Sequence, residues 1–351
     1  MIAVVGEALI DLIVDRAGGV DARPGGGPFN TARTIARLGE SAAFLGRLAG
    51  DGFGAMLRDR LEADGVLVGV PEPSSAPSTL AVADVDSAGL ARYGFYLTGT
   101  AAADLDHVTL AGALATLAAA GHRTTALHVG TLGLVMEPIA SGTERLIAAH
   151  LPQDVLLMAD PNCRPGAIAD RDAYLARLDR ILRRTDVVKA SVEDLAYLLP
   201  DTPPHEAAAI LLKRGPRLVL VTDGPRPARA ILFGREVSAE VPPVKVVDTI
   251  GAGDAFGGAF LAWWTANGLT RADLSDGGAV TAALVAAAEV ASLTCARAGA
   301  EPPRLAETRQ FRPAAIMPDL SGRHARASRA FPAKRHRGAA ARRSSAGRRR
   351  S

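Results

Sequence analysis

The chain has 351 residues, 48% of them hydrophobic, 22% charged and 4% aromatic, with a slightly positive mean hydropathy, which excludes the disordered and fibrous classes. A net charge of +3 and a pI of about 9.1 suggest an acidic partner such as nucleic acid. The location of the charge removes that suggestion: residues 312–351 hold twelve Arg and Lys against one acid, Asp319, so they carry +11 and the preceding chain carries −8.

In chain order, Ile2–Val5 reads as a buried strand, and Glu7 and Asp11 inside the apolar N-terminus argue against a signal peptide. Residues 43–48, 126–129, 155–159, 187–189 and Leu218–Thr222 read as further buried strands. Between them lie apolar residues at helical spacing, such as Ala32/Ile35/Ala36, Phe53/Met56/Leu57/Leu61 and Leu175/Leu178/Ile181/Leu182. Strand and helix in alternation predict a mostly parallel sheet with helices on both faces and a ligand at the carboxyl ends of its strands.

One segment breaks the rhythm. Residues 79–97 read as two strands around a turn at residues 86–89, with no helix between them, and residues 10–15 are expected to add a strand to this hairpin, forming a small β lid. The alternative is an edge extension of the main sheet. Residues 279–294 form the longest apolar run, and Glu289 interrupts it, so no membrane span is expected. Cys163 and Cys295 are too few for a disulfide framework and lie in no zinc motif, which points to a reducing cytoplasm. After Phe311 the patterning stops and Arg, Ala, Ser and Gly dominate, so residues 312–351 are expected to be a disordered basic tail on a body of residues 1–311.

Two glycine-rich stretches carry the chemistry. In Gly25-Gly26-Gly27-Pro28-Phe29-Asn30 the glycines permit close approach of backbone to a ligand, and Asn30 can offer both an acceptor and a donor to hydroxyl groups. The structural alternative is a turn with Asn30 as a plain N-cap. In Asp248-Thr249-Ile250-Gly251-Ala252-Gly253-Asp254, the amides of Gly251, Ala252 and Gly253 can form one anion-binding concavity at a helix start. Asp254 beside such a site is a poor static arrangement for a phosphate and suggests a working base, the alternative being an ordinary helix-start Asp.

The two stretches together resemble the signature motifs of the ribokinase/PfkB family of sugar kinases, in that family's order. Gly6-Glu7-Ala8-Leu9-Ile10-Asp11, Asp160-Pro161-Asn162-Cys163-Arg164-Pro165 and Val188-Lys189-Ala190-Ser191-Val192-Glu193-Asp194 resemble its fructokinase branch. The resemblance implies a three-layer α/β/α sandwich with a small β lid, and an ATP-dependent kinase acting on the primary hydroxyl of a sugar, fructose above all. Ribokinase, keto-deoxygluconate kinase and nucleoside kinase activities are the alternatives, and a non-catalytic sensor on the same fold or a nucleic-acid binder acting through the tail are readings of another class.

Residue by residue, the resemblance makes Asp254 the base beside the Gly251–Gly253 anion site, and Asp11, Gly26, Gly27, Asn30 and Arg164 the sugar contacts. Lys189, Thr222, Gly224, Asp248, Thr249, Gly251 and Gly253 fall on the nucleotide side, and Glu193 on a Mg²⁺ held through water. ATP and Mg²⁺ are the implied cofactors, with a monovalent cation such as K⁺ near Asp248 left open. Ser191 to Asp194 also reads as a capping box. The lid, with Phe95 and Tyr96, is expected to close over the sugar, and pairing of lids between two copies would give a homodimer.

Overall fold

The computed structural model describes residues 1–14, 18–85 and 91–311. In chain order the strands are β1 Ile2–Val5, β2 Leu9–Val14, β3 Val20–Gly25, β4 Ala42–Leu45, β5 Leu67–Val68, β6 Leu80–Val85, β7 Ala91–Tyr96, β8 Ala126–Gly130, β9 Leu156–Asp160, β10 Val187–Ser191, β11 Leu218–Thr222, β12 Ala228–Leu232 and β13 Arg235–Ala239. The helices are α1 Gly27–Arg37, α2 Gly52–Ala63, α3 His107–Ala119, α4 Ile139–Ala149, α5 Arg171–Leu182, α6 Val192–Leu198, α7 Pro204–Leu212, α8 Ala252–Ala266 and α9 Gly277–Cys295.

The main sheet has nine strands in the order β13-β12-β11-β10-β9-β8-β1-β4-β5, parallel from β5 to β11 and closed at the other edge by the antiparallel β12–β13 hairpin. Its central strands are apolar and buried on both faces, as helix-covered parallel strands must be, and the two faces carry separate cores. Helices α1, α8 and α9 cover one face, where Phe260 stacks on Trp264 at 5.5 Å, while α3, α4, α5 and α7 contribute to the other. Together these layers form an α/β/α sandwich.

The lid is a separate four-stranded sheet in the order β3-β2-β6-β7. All three expected lid strands are present, with β2 parallel to β6 and β6 antiparallel to β7. The turn expected at residues 86–89 and position 15 lie outside the described residues, as does the expected tail at 312–351. Sequence patterning does not reveal β3, because Val20-Asp21-Ala22-Arg23-Pro24-Gly25 has one β-branched residue, follows two glycines and holds a proline, which a sheet tolerates at its edge.

Helix α9 is the one described helix long and apolar enough, by length and composition, to cross a membrane, but more than half of its apolar window is buried inside the fold. Its interrupting acid has a structural use. Glu289 accepts the backbone N–H groups of Arg309, Gln310 and Phe311 at 2.8, 2.7 and 3.3 Å, fastening the end of the described body.

Candidate active site

A cavity of about 490 Å³ lies between the lid and the carboxyl ends of the central strands. Asp11, Gly26, Gly27, Asn30, Arg164, Thr249, Gly251, Gly253 and Asp254, separated by up to 243 positions in sequence, all line it. The strand ends explain the convergence: β1 leads into Glu7, β8 into Thr131 and β9 into Asn162 and Arg164, while α1 and α8 start at the glycine loops.

Gly26 is itself the cap of α1, at φ 111°, with Pro28 in the first turn. Asn30 is therefore not the cap. Its Nδ2 donates one of its two hydrogens to Asp254 Oδ2 at 2.9 Å, while Oδ1, buried and without a hydrogen-bond partner, is open to a donor from a ligand. Gly27 is required by close approach, since a Cβ there would stand 2.3 Å from Thr131 Oγ1 and 3.2 Å from Asp254 Oδ1.

Gly251 caps α8 in the left-handed conformation at φ 76°, and a Cβ on it would strike Ala300 Cβ at 2.5 Å. The N–H of Ala252 turns back to the Thr249 carbonyl at 3.3 Å, so Ala252 does not serve the cavity as expected, whereas Gly251 and Gly253 line it. Asp248 organises this loop from behind, accepting from Ile250 N at 3.0 Å and Gly299 N at 2.9 Å, with Arg23 of the lid 3.6 Å away.

Electrostatics favour reactive carboxyls. Burial raises the Asp254 carboxyl, and the Asn30 hydrogen bond with the charges of Lys189 and Arg164 opposes that rise. Burial, reinforced by the Asp254 charge, raises Asp11 to about 6, against the pull of Arg164 and Arg23.

Sequence reasoning missed three polar lining residues. Glu7, fully buried, accepts from Gly27 N at 3.1 Å and Gly133 N at 2.9 Å, and burial lifts it to about 8 despite those bonds. An acid inside an apolar strand-like run was its signal. Thr131 and Asn162 both sit at positive φ, 51° and 38°, and Asn162 Nδ2 donates to Thr131 Oγ1 at 3.1 Å. Left-handed backbone is costly for a β-branched residue and clusters at functional sites, and no sequence pattern announces it.

Other expected residues lie outside the cavity lining. Lys189 is 3% exposed and its Nζ donates to Asp160 Oδ2 at 2.8 Å. Thr222 ends β11, and Gly224, at φ 54°, follows in an exposed turn. Glu193 is exposed in the first turn of α6, whose Ser191–Asp194 capping box is present as expected. Among the described residues no group of three or more His, Cys, Asp or Glu is placed to hold a metal.

The profile of the pfkB family carbohydrate kinases matches residues 1–307. The chain belongs to this family. Among its relatives, the fructokinase of Rhizobium leguminosarum bv. trifolii is 35% identical over 266 residues, 75% of this chain and 79% of that one. The Klebsiella pneumoniae fructokinase is 34% identical, over 76% of this chain and 85% of its own. Among solved structures, the fructokinase of Xylella fastidiosa with bound ATP superposes with a TM-score of 0.79 at 27% identity, covering 87% of this pfkB chain and 96% of that chain.

Proposed function

We propose that this pfkB-family kinase is an ATP-dependent fructokinase that transfers the γ-phosphoryl of ATP to the 6-hydroxyl of D-fructose. The observation that carries the reading is Asp254: a buried carboxylate held by Asn30 at the start of α8, beside the Gly251 and Gly253 amides, in the cavity that also holds Asp11 and Arg164. The fructokinases among its relatives, and the Vibrio cholerae fructokinase solved with fructose and ADP at 25% identity, support fructose as the substrate.

In this reading Asp11 accepts two sugar hydroxyls, Asn30 Oδ1 accepts a third, and the Arg164 guanidinium donates near the reacting end. Asp254 takes the hydroxyl proton as the sugar oxygen attacks, and the Gly251 and Gly253 amides meet the charge on the transferring group. Thr222, Gly224, Thr249 and the loop organised by Asp248 form the nucleotide side, with the base toward α9 and the turn at Gly299. Mg²⁺, when bound, neutralises the phosphates. It prefers water and phosphate ligands to an all-protein cage, which fits the lone exposed carboxylate of Glu193 better than a metal cluster.

Phe95, half-buried, lines the cavity from the lid and would exclude water from the closed site. The opposite face of the lid sheet carries Leu12, Leu80 and Val82, with Tyr96 62% and Val20 61% exposed. Strand alternation puts these residues on the side away from Asp11 and Phe95, a face suited to the lid of a second copy. The kinase body is residues 1–311, the basic stretch beyond it is an appendage, and the free thiols of Cys163 and Cys295 suit a cytoplasmic enzyme whose partners are sugar and ATP rather than nucleic acid or membrane.

A panel of fructose, ribose, 2-keto-3-deoxygluconate and adenosine in an ATP-consumption assay tests the substrate. Fructose is expected to give the highest kcat/KM by about 10-fold or more. A preference for ribose or adenosine overturns the fructose assignment, and turnover of none of them overturns the kinase assignment.

A further inference from the structure

We infer that Arg33 is a positioning residue: from helix α1 it holds the turn at residues 299–301 against Gly251, and so fixes where the anion-loop amides stand relative to Asp254. The inference rests on the kinase reading above, which uses Asp254 and that loop and gives Arg33 no part.

The Arg33 side chain is 1% exposed and lies one helical turn after Asn30 on α1. Its Nε donates to Asp64 Oδ2 at 2.8 Å, where α2 ends, and its Nη1 to the Ala300 carbonyl at 3.0 Å. Nη2 donates to both carboxylate oxygens of Glu301 at 3.1 Å. The guanidinium also lies over the Phe29 ring, 5.6 Å from its centroid. A planar fork of donors suits partners in several fixed directions, and a lysine ammonium does not.

Ala300 carries this contact to the site. A Cβ on Gly251 would stand 2.5 Å from Ala300 Cβ and 3.0 Å from its Cα, so the turn lies directly against the Gly251 backbone. The neighbouring Gly299 N–H donates to Asp248 Oδ2 at 2.9 Å, and Asp248 Oδ1 accepts from Ile250 N. The turn is thus tied to the anion loop on one side and to α1 on the other. On the same helix, Asn30 Nδ2 donates to Asp254 Oδ2 at 2.9 Å. Helix α1 therefore holds the base through Asn30 and the Gly251 amide through Arg33 and Ala300, and phosphoryl transfer depends on the relative placement of those two groups.

Charge pairing does not account for Arg33. Asp64 also faces Arg37 at 3.2 Å and Arg304 at 3.4 Å, and Glu301 faces Arg37 at 3.1 Å and Arg60 at 3.2 Å. Both carboxylates keep cationic partners without Arg33, and a fully buried guanidinium is costly to desolvate. What distinguishes Arg33 from the other three arginines is its hydrogen bond to the Ala300 carbonyl.

The test pairs Arg33→Met, which keeps the stem and removes the donors, with Ala300→Gly, which removes the methyl group against Gly251. At saturating ATP, Arg33→Met is expected to lower kcat about 10-fold and Ala300→Gly about 5-fold, with the fructose KM of each within about threefold of wild type. Because both act through one turn, the double variant should lose about 20-fold or less, against an independent product of about 50-fold. A loss at the full product, or a kcat within about twofold of wild type in Arg33→Met, overturns the inference. Hydrogen exchange read by mass spectrometry without substrate gives a second measure. Peptides over residues 247–253 and 296–301 are expected to exchange about 10-fold faster in Arg33→Met, while those over β9 and β10 keep the wild-type rate. A merely structural arginine would lower Tm and speed exchange evenly across the body, and that pattern overturns the inference. If Arg33→Met does not fold, Arg33→Lys, which leaves a cation beside Asp64 and Glu301 but lacks the fork, is read by the same criteria. Exchange needs no turnover, so it reads the Arg33 contact even where the sugar panel overturns the kinase assignment.

Discussion

The two sheets contribute to one cavity in different ways. The main sheet supplies groups whose positions are over-determined: Glu7 is held by two backbone amides, Asn162 by Thr131, and Asp254 by Asn30, all behind strands buried on both faces. The lid supplies Asp11, Ala81 and Phe95 from a smaller sheet of four strands with an edge strand holding a proline. The chemistry sits where the backbone is least free to move, and the entrance is built from the part with fewer constraints.

This contrast predicts a graded response to substitution. The largest effect belongs to the body: Asp254→Asn is expected to lower kcat by about 1,000-fold or more while calorimetry still detects sugar binding, and comparable turnover in the variant would remove Asp254 from the mechanism. In the lid, Phe95→Ala is expected to raise the fructose KM about 10-fold with a far smaller change in kcat and a small change in Tm, and an equal loss of kcat would show that the lid shares the chemistry.

The smallest effect concerns Glu7. Its folded pKa of about 8 lies above the 4.5 of the free side chain, so the folded state binds the proton more tightly. Its contribution to stability is full below 4.5 and is lost as pH rises through 8. Glu7→Gln should abolish that part of the slope in urea denaturation between those limits, at a cost of about 1–3 kcal/mol for the amide left without a good acceptor. An unchanged slope would mean that Glu7 does not set it.

Much of this molecule was readable from local pattern. The six core strands were legible because buried parallel strands are continuous apolar runs, and the lid because its hairpin lacks an intervening helix. The glycine loops were legible because positive φ and close backbone approach leave few residues to choose from. Less visible were β3, an edge strand poor in β-branched residues and holding a proline, and the β12–β13 hairpin, whose turn holds only Phe233 and Gly234.

Residue type and spacing by themselves determined the layered α/β architecture and the two glycine loops, and the resemblance of those loops to a known family set Asn30 and Asp254 in a sugar-kinase pattern. Tertiary structure alone decided how those groups are used. Asn30 gives an amide hydrogen to Asp254, Ala252 closes a turn, Lys189 lies beneath the loop instead of in the cavity, and Glu7 joins two loops 106 positions apart. The physical reason is the range of the interactions: backbone conformation and burial pattern are set within a few residues, whereas a buried hydrogen bond or ion pair belongs to whichever partner the fold brings within about 3 Å.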